Sequence, residues 1–420
     1  MMSGLKTAWV ALLAGYLSAC GQDARTEPIY VKSDGWDSIC LARMVMDMPP
    51  QVEVAAANAV HSSGYGFDPE LMGAATSGQF WNHIDIQETK PALMEDFQDI
   101  RDSASFRNSV GVITKYKEAA LGSKYAYGFH LKPSGFDIGY IDPEDKRIRL
   151  FKGGLPGDKP DGAYTAHDVS AYYQEIRRIY TARKPTDIPA YPGICSPYGF
   201  FKDPASGPVA NYDIDVAVRS LKYPNLIIFV HIRPPEPTAP KSLDELRDPN
   251  NITVEDLKSI KGIGAIGAIL ALGNVKKLHD PQKLTIAGQP ARLSAREYHH
   301  KGTLDTAGSA SGAAYEMQAD TVGVQGQADM PAITIKLAAA LPDPFPYPPP
   351  VHEMVFGREE ITYYKPSRPA LKGVKTPPFD EAMVYFKQVL ASVRPLSQGH
   401  GQASAAMPAS PAAPASAASR

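Results

Sequence analysis

At 420 residues, with 44% hydrophobic and 21% charged side chains, the chain can fold two or three domains of about 150 residues around apolar cores. Its 43 Lys+Arg against 45 Asp+Glu leave a formal charge of −2, which excludes a generally basic nucleic-acid binder. The 38 prolines argue against long uninterrupted helices, and no stretch reaches the ~18 apolar residues of a membrane span.

Lys6 is the only charge in the first 22 residues, and the apolar run Ala8–Leu17 that follows it suits a signal-peptide core. The run ends in Leu17-Ser18-Ala19-Cys20, which resembles a bacterial lipobox. Residues 1–19 are therefore expected to be a signal peptide and Cys20 a lipidated amino terminus. The plainer alternative is an ordinary secretory signal cut nearby. Gly21 in place of Asp favours the outer membrane, with the mature protein in the periplasm. Polar residues 20–35 read as lipid anchor and tether. Cys40 and Cys195 then remain, an even pair in an oxidising compartment, and one disulfide is expected; two buried free thiols are the alternative.

Val52–Val60 alternates as a strand. Pro91–Leu121 reads as helix, with Leu93, Met94, Phe97 and Ile100 on one stripe and a break near Gly111. Tyr125–Leu131, Phe136–Ile141 and Arg147–Phe151, separated by turn residues, predict an antiparallel meander. Asp168–Lys184 reads as helix, with Tyr172, Ile176 and Ile179 or Tyr180 inward, stopped by Pro185, Pro189 and Pro192. The boundary between an N-terminal α+β domain (36–186) and a C-terminal one (187–396) is placed there. In the second, Asp213–Arg219 and Leu226–Arg233 predict a hairpin around Tyr223-Pro224-Asn225. Thr253 caps a predicted helix. Strands are expected at Leu284–Ala287, Arg292–His300, Ala314–Ala319 and Ile333–Leu337. A closing helix, Phe379–Val393, carries Met383, Phe386, Leu390 and Val393 on one face. Residues 397–420 form an Ala/Ser/Pro-rich tail without apolar periodicity, expected to be disordered.

Catalytic signatures are poorly matched. Gly262-Ile263-Gly264-Ala265-Ile266-Gly267 fits a dinucleotide-binding spacing, but a helix signal precedes it where that motif needs a strand. Gly308-Ser309-Ala310-Ser311-Gly312 places Ala where a nucleophile elbow has Ser. His352-Glu353 lacks the second histidine of a zinc helix. His167-Asp168 forms a possible acid/base pair, but Asp168 has a plainer job at a helix start. His299-His300 on a strand would face opposite ways, so solvated strand or interface histidines are the better reading than metal ligands. The proline-rich Leu341–Pro350 presents Phe345 and Tyr347 on a stiff extended segment suited to docking, or serves as a rigid connector. His299, His300, Phe345 and Tyr347 are the candidate partner-interface residues. No catalytic set, metal site or cofactor is expected.

Five segments carry a family resemblance. Trp36 with Cys40-Leu41-Ala42-Arg43-Met44-Val45-Met46-Asp47-Met48-Pro49 comes first, then Pro192-Gly193-Ile194-Cys195 leading into Gly199-Phe200-Phe201. Leu284-Thr285-Ile286-Ala287-Gly288 with Tyr315-Glu316-Met317 follows, then Ile333-Thr334-Ile335-Lys336-Leu337, then Tyr385–Pro395. In this order they resemble the immunity proteins of type VI secretion lipase effectors of the fourth lipase class. The resemblance implies two α+β domains, each an antiparallel sheet packed with helices, facing each other across a cleft. It also implies a periplasmic inhibitor that grips a phospholipase effector between them and blocks substrate access. An envelope lipoprotein hydrolase with an unrecognised site, or an envelope scaffold, are the alternatives.

Overall fold

Alternating β-branched and aromatic residues build many of the described residues into antiparallel strands. The computed structural model describes residues 32–56, 77–80, 84–110, 117–131, 135–154, 165–205, 207–208, 212–246, 275–298, 313–340, 351–355, 358–362 and 375–398. The first half contains strands β1 (Asp37–Leu41), β2 (Met44–Met48), β3 (Val52–Ala56), β4 (Ser77–Phe80) and β5 (Ile84–Pro91), then helix α1 (Met94–Val110). Strands β6 (Lys117–Glu118), β7 (Ala126–Leu131), β8 (Gly135–Ile141) and β9 (Arg147–Gly154) precede helix α2 (Ala166–Ile179). Next come β10 (Tyr180–Ala182), β11 (Gly193–Ser196), β12 (Gly199–Lys202), β13 (Tyr212–Ser220) and β14 (Leu226–Arg233). The remainder is β15 (Val275–Ile286), β16 (Gln289–Tyr298), β17 (Ala313–Thr321), β18 (Ala332–Ala340), β19 (Val351–Val355), β20 (Arg358–Thr362), helix α3 (Phe379–Ser392) and β21 (Arg394–Pro395). The architecture is a sheet-rich α+β fold, and all these elements belong to one compact unit, residues 34–420. Among the described residues, no helix is long and apolar enough to cross a membrane.

Thirteen of the described strands form one sheet, in the order β15-β16-β17-β18-β14-β13-β4-β5-β9-β8-β7-β6, with β3 also on β13. The joint is β13. One edge pairs with β14; the other is shared, Tyr212–Asp215 with β4 and Val216–Ser220 with β3. The sheet therefore runs on through strands from both sides of the expected boundary at residue 186.

On the β13–β18 side, one face is apolar. Val216 opposes Val230, which opposes Ile335; Ile214 opposes Ile232, which opposes Ile333; all six are fully buried. Helix α3 lies against β15 and β17, burying Tyr385, Phe386, Val389 and Leu390. The other face is polar, with Arg292 opposite Asp320, Asp320 opposite Thr334, Thr334 opposite His231 and His231 opposite Asp215. This is the pattern of a sheet with one core face. The β15–β16 turn, Ala287-Gly288, has φ of 52° and 75°, as a two-residue hairpin following the strand twist requires.

On the β5–β9 side, both faces are covered. Helix α1 sets Phe97 against Tyr127, with Phe129, Ile141 and Ile148 in the same cluster. On the other face, α2 sets Tyr172 against Phe136 and Tyr173 against Tyr140. Thr165 caps α2, its side chain accepting from the Asp168 N–H while Asp168 accepts from the Thr165 N–H at 2.6 Å. Asp168 thus does the structural job expected of it.

The predicted meander, the β13–β14 hairpin, the strands of the C-terminal sheet and the closing helix are all present. Several expectations need correction. Residue 91 ends β5, α1 stops at Val110, and residues 117–118 are strand, so one helix does not span 91–121. Leu93 is not on the buried stripe; it is 66% exposed, ahead of the helix start. The helix placed at 168–184 ends at Ile179, because Tyr180 turns into the core and its backbone pairs with Phe201 of β12. The predicted Thr253 helix, the glycine motifs at 262–267 and 308–312, and the proline-rich 341–350 lie outside the described residues, as does the tail from residue 399.

Candidate functional site: a cleft beside the disulfide

Two small sheets, β1-β2-β21 and β10-β12-β11, bring chain ends and middle together. Cys40 and Cys195 form the expected disulfide, Cα atoms 5.7 Å apart across 155 residues of sequence. Next to it, β1 turns into β2 through Ala42-Arg43. Ala42 has φ of 52°, a left-handed conformation that costs a residue with a Cβ roughly 1–2 kcal/mol. The turn is held in that state from both sides. Ala42 and Cys195 exchange two backbone hydrogen bonds (2.8 and 2.7 Å), and the Leu396 N–H donates to the Arg43 carbonyl at 2.7 Å.

Buried polar side chains complete this knot. Arg183 donates to the carbonyls of Cys40, Ser196 and Gly199 at 2.7–2.9 Å, tying three strands at once. Burial lowers its pKa to about 10. Glu88 is fully buried and accepts from Tyr180 Oη (2.6 Å), Ser196 Oγ (2.8 Å) and the Tyr198 N–H (3.1 Å). Arg149 donates to Tyr180 Oη at 2.6 Å and grips Asp145 with both terminal nitrogens. Burial, reinforced by Glu88, pushes the Tyr180 phenol well up. Gly199 lies so close to the Tyr180 ring that no Cβ fits there. Asp47 accepts from Ser38 and Arg394, and Ser392 Oγ accepts the Asp47 N–H, binding β2 to the end of α3.

The strained turn aims Arg43 at the floor of a cleft of about 790 Å³. Arg43 Nη2 and Nη1 donate to Asp203 Oδ1 (2.7 Å) and Oδ2 (2.8 Å), and the pair is nearly buried at 3% and 9% exposure. Such bidentate pairs fix geometry as well as charge. Tyr191, Pro192, Pro204 and Pro208 are among the residues that line it. The β17–β18 turn supplies Asp329, which accepts from Ser397 Oγ at 3.2 Å. Tyr191 is 60% exposed, with the Lys202 ammonium 5.1 Å from its ring centroid. Prolines, a disulfide and a buried ion pair make these walls stiff, so a ligand would order little on entry. The lining offers apolar contact, one exposed aromatic ring and carboxylates, the equipment of a binding site.

Of the residues expected from sequence, the structure brings together Cys40 and Cys195. Cys20, His299, His300, Phe345 and Tyr347 lie outside the described residues. Among the described residues no group of three or more His, Cys, Asp or Glu is placed to hold a metal ion. Arg43, Tyr191, Asp203 and Asp329 were not singled out by sequence. The proline spacing at 189, 192, 204 and 208 was the available sign of stiff loops there.

No family model matches the chain, and no curated protein matches it. Solved structures similar to it include three at low sequence identity. The immunity protein TplEi of T6SS from Pseudomonas aeruginosa, complexed with an "L" peptide, is 13% identical with a TM-score of 0.47, covering 86% of this chain and 98% of that one. Its apo structure gives 13% and 0.47, covering 86% and 97%. The Tle4–Tli4 complex gives 13% and 0.49, covering 87% and 98%.

Proposed function

We propose that the chain is an exported immunity protein that binds and inhibits a type VI secretion phospholipase effector. In this reading Cys20 anchors it to the outer membrane from the periplasmic side. Its two sheet-rich halves, 36–186 and 187–396, grip the enzyme and occlude substrate access, and it catalyses nothing itself. The observation that carries the reading is where the resemblance-bearing segments meet. Residues 40–48 form β1 and β2, residues 192–201 span β11 and β12, and residues 385–395 end α3 and form β21. These three converge on the disulfide and the cleft, while residues 284–288, 315–317 and 333–337 lie in neighbouring strands β15 to β18. Segments scattered along the sequence thus become one scaffold. The Cys40–Cys195 bond suits an oxidising compartment. Occlusion needs buried area and aromatic anchors, and the cleft wall carries one exposed aromatic ring, Tyr191.

The test uses the mature chain as bait against lysate of the source organism with secretion induced. The reading expects a lipase among the captured proteins, whose activity falls when the chain is added. A folded bait that captures no lipase would move the weight to an envelope hydrolase or scaffold.

A further inference from the structure

We infer that the outer edge of β15 is built to refuse strand addition, and that Lys276, Lys277, Pro281 and Lys283 keep two copies of this chain from joining sheet to sheet there. The thirteen-stranded sheet ends in β6 on one side and β15 on the other. β6 has two residues, too few to template a partner. β15 has twelve, about 40 Å of edge at the usual rise, and no described strand pairs with its outer side. Lys276 to Leu278 and Asp280 to Lys283 are exposed, and apolar Leu278 sits among them at 53% exposure. An open edge of that length is a template for another strand. Three features oppose such pairing. Two register shifts against β16, at Lys276 and at Asp280-Pro281, each insert one extra residue and interrupt the even spacing of outward N–H and C=O groups. Pro281 has no N–H to donate. The strand also carries three ammonium groups against one carboxylate, Asp280. Arg292 and Arg296 of β16 lie opposite Lys283 and Leu278, and Glu297, opposite Lys277, is held by His279 at 2.9 Å. With these, and with Asp380 and Glu381 at the start of α3, which packs against β15, the edge region stays net positive. In an antiparallel pairing of two copies about the middle of the strand, Lys276 of each copy meets Lys283 of the other, and like charges directly opposite are destabilising. The central meetings of His279 with Asp280 fall on the second register shift, where the pairing is already interrupted.

The test follows the full mature chain over a hundredfold range of concentration, with mass read by light scattering and β15 amide protection by hydrogen exchange. In the unaltered chain, β15 protection should not change with concentration. Lys276→Thr, Lys277→Thr and Lys283→Thr combined with Pro281→Val should strengthen self-association at least tenfold, with the new protection in β15. The three Lys→Thr changes alone should give a smaller rise at an unchanged melting temperature, because those side chains are exposed. That triple variant carries the test if the fourfold variant does not fold. Lys276→Glu, Lys277→Glu and Lys283→Glu together reverse the charge without removing it, and should behave as the unaltered chain does. Folded Lys→Thr variants that associate no more than the unaltered chain would overturn the inference. So would association that leaves β15 unprotected, a Lys→Glu variant that associates as strongly as the Lys→Thr one, or an unaltered chain already pairing through β15.

Discussion

The knot around the disulfide and the outer sheet from β13 to β18 are held together by different physics. In the outer sheet, the pairs β13–β14, β15–β16 and β17–β18 are each neighbours in sequence, and the glue is a row of aliphatic side chains opposite one another. In the knot, strands from near residue 40, near 200 and near 395 must meet, and the glue is a disulfide plus buried arginines and carboxylates. Hydrophobic burial is non-directional and forgives conservative change. Buried charges forgive little, because removing one partner strands the other. The outer sheet is thus expected to lose stability gradually under substitution, and the knot to fail in large steps.

The largest step is the disulfide. Replacing Cys40 and Cys195 by Ala releases a 155-residue loop, worth about 5 kcal/mol in the chain-entropy model. Denaturant melts should show that loss, and hydrogen exchange should locate it in β1, β2, β11 and β12 before β14 and β18. Uniform loss of protection would break the distinction between the two regions. Next comes Asp203→Ala, which leaves Arg43 buried without its carboxylate and should cost about 3 kcal/mol. Ile335→Val in the outer sheet should cost only about 1 kcal/mol, as a lost methylene at a fully buried site does. If these two melts shift equally, the contrast fails.

The smallest effect lies on the polar face. His231 Nε2 sits 2.7 Å from Asp213, and that hydrogen bond raises its pKa above the ordinary value against the opposing pull of burial. A raised folded-state pKa stabilises fully below the unfolded value near 6.5 and is lost as pH rises through the folded value. The pair is over a third exposed, so His231→Gln should cost under about 1 kcal/mol at pH 5.5 and nothing at pH 9. A deficit that grows with pH would reverse the sign and refute the assignment.

The same contrast explains which parts of the fold were legible in the sequence. Strands such as β13, β14 and β18 announce themselves by alternation or by dense β-branched runs between turn residues. Strands β1 and β2 are five residues each, β11 and β12 four, and Asp47 and Arg43 are buried where a pattern reader expects solvent. β1 pairs with β2 and β11 with β12 as short hairpins, but what joins them, β2 to β21 and Ala42 to Cys195, comes from segments more than a hundred residues away, which local periodicity does not encode. The α2 helix was read too long for a related reason: Tyr180 keeps the helical apolar spacing, but its hydroxyl is claimed by Glu88 and Arg149. At the site, parity and compartment were enough to pair Cys40 with Cys195. The cleft was not legible, because five separate segments line it and none carries a motif.

In the proposed role the chain silences a secreted phospholipase by binding it. The most direct measurement titrates the purified mature chain into the purified lipase and follows hydrolysis of a phospholipid substrate. A linear fall to near-zero activity is expected at about one chain per enzyme, with the chain alone releasing no product. Activity unchanged at a large molar excess of folded chain would contradict it.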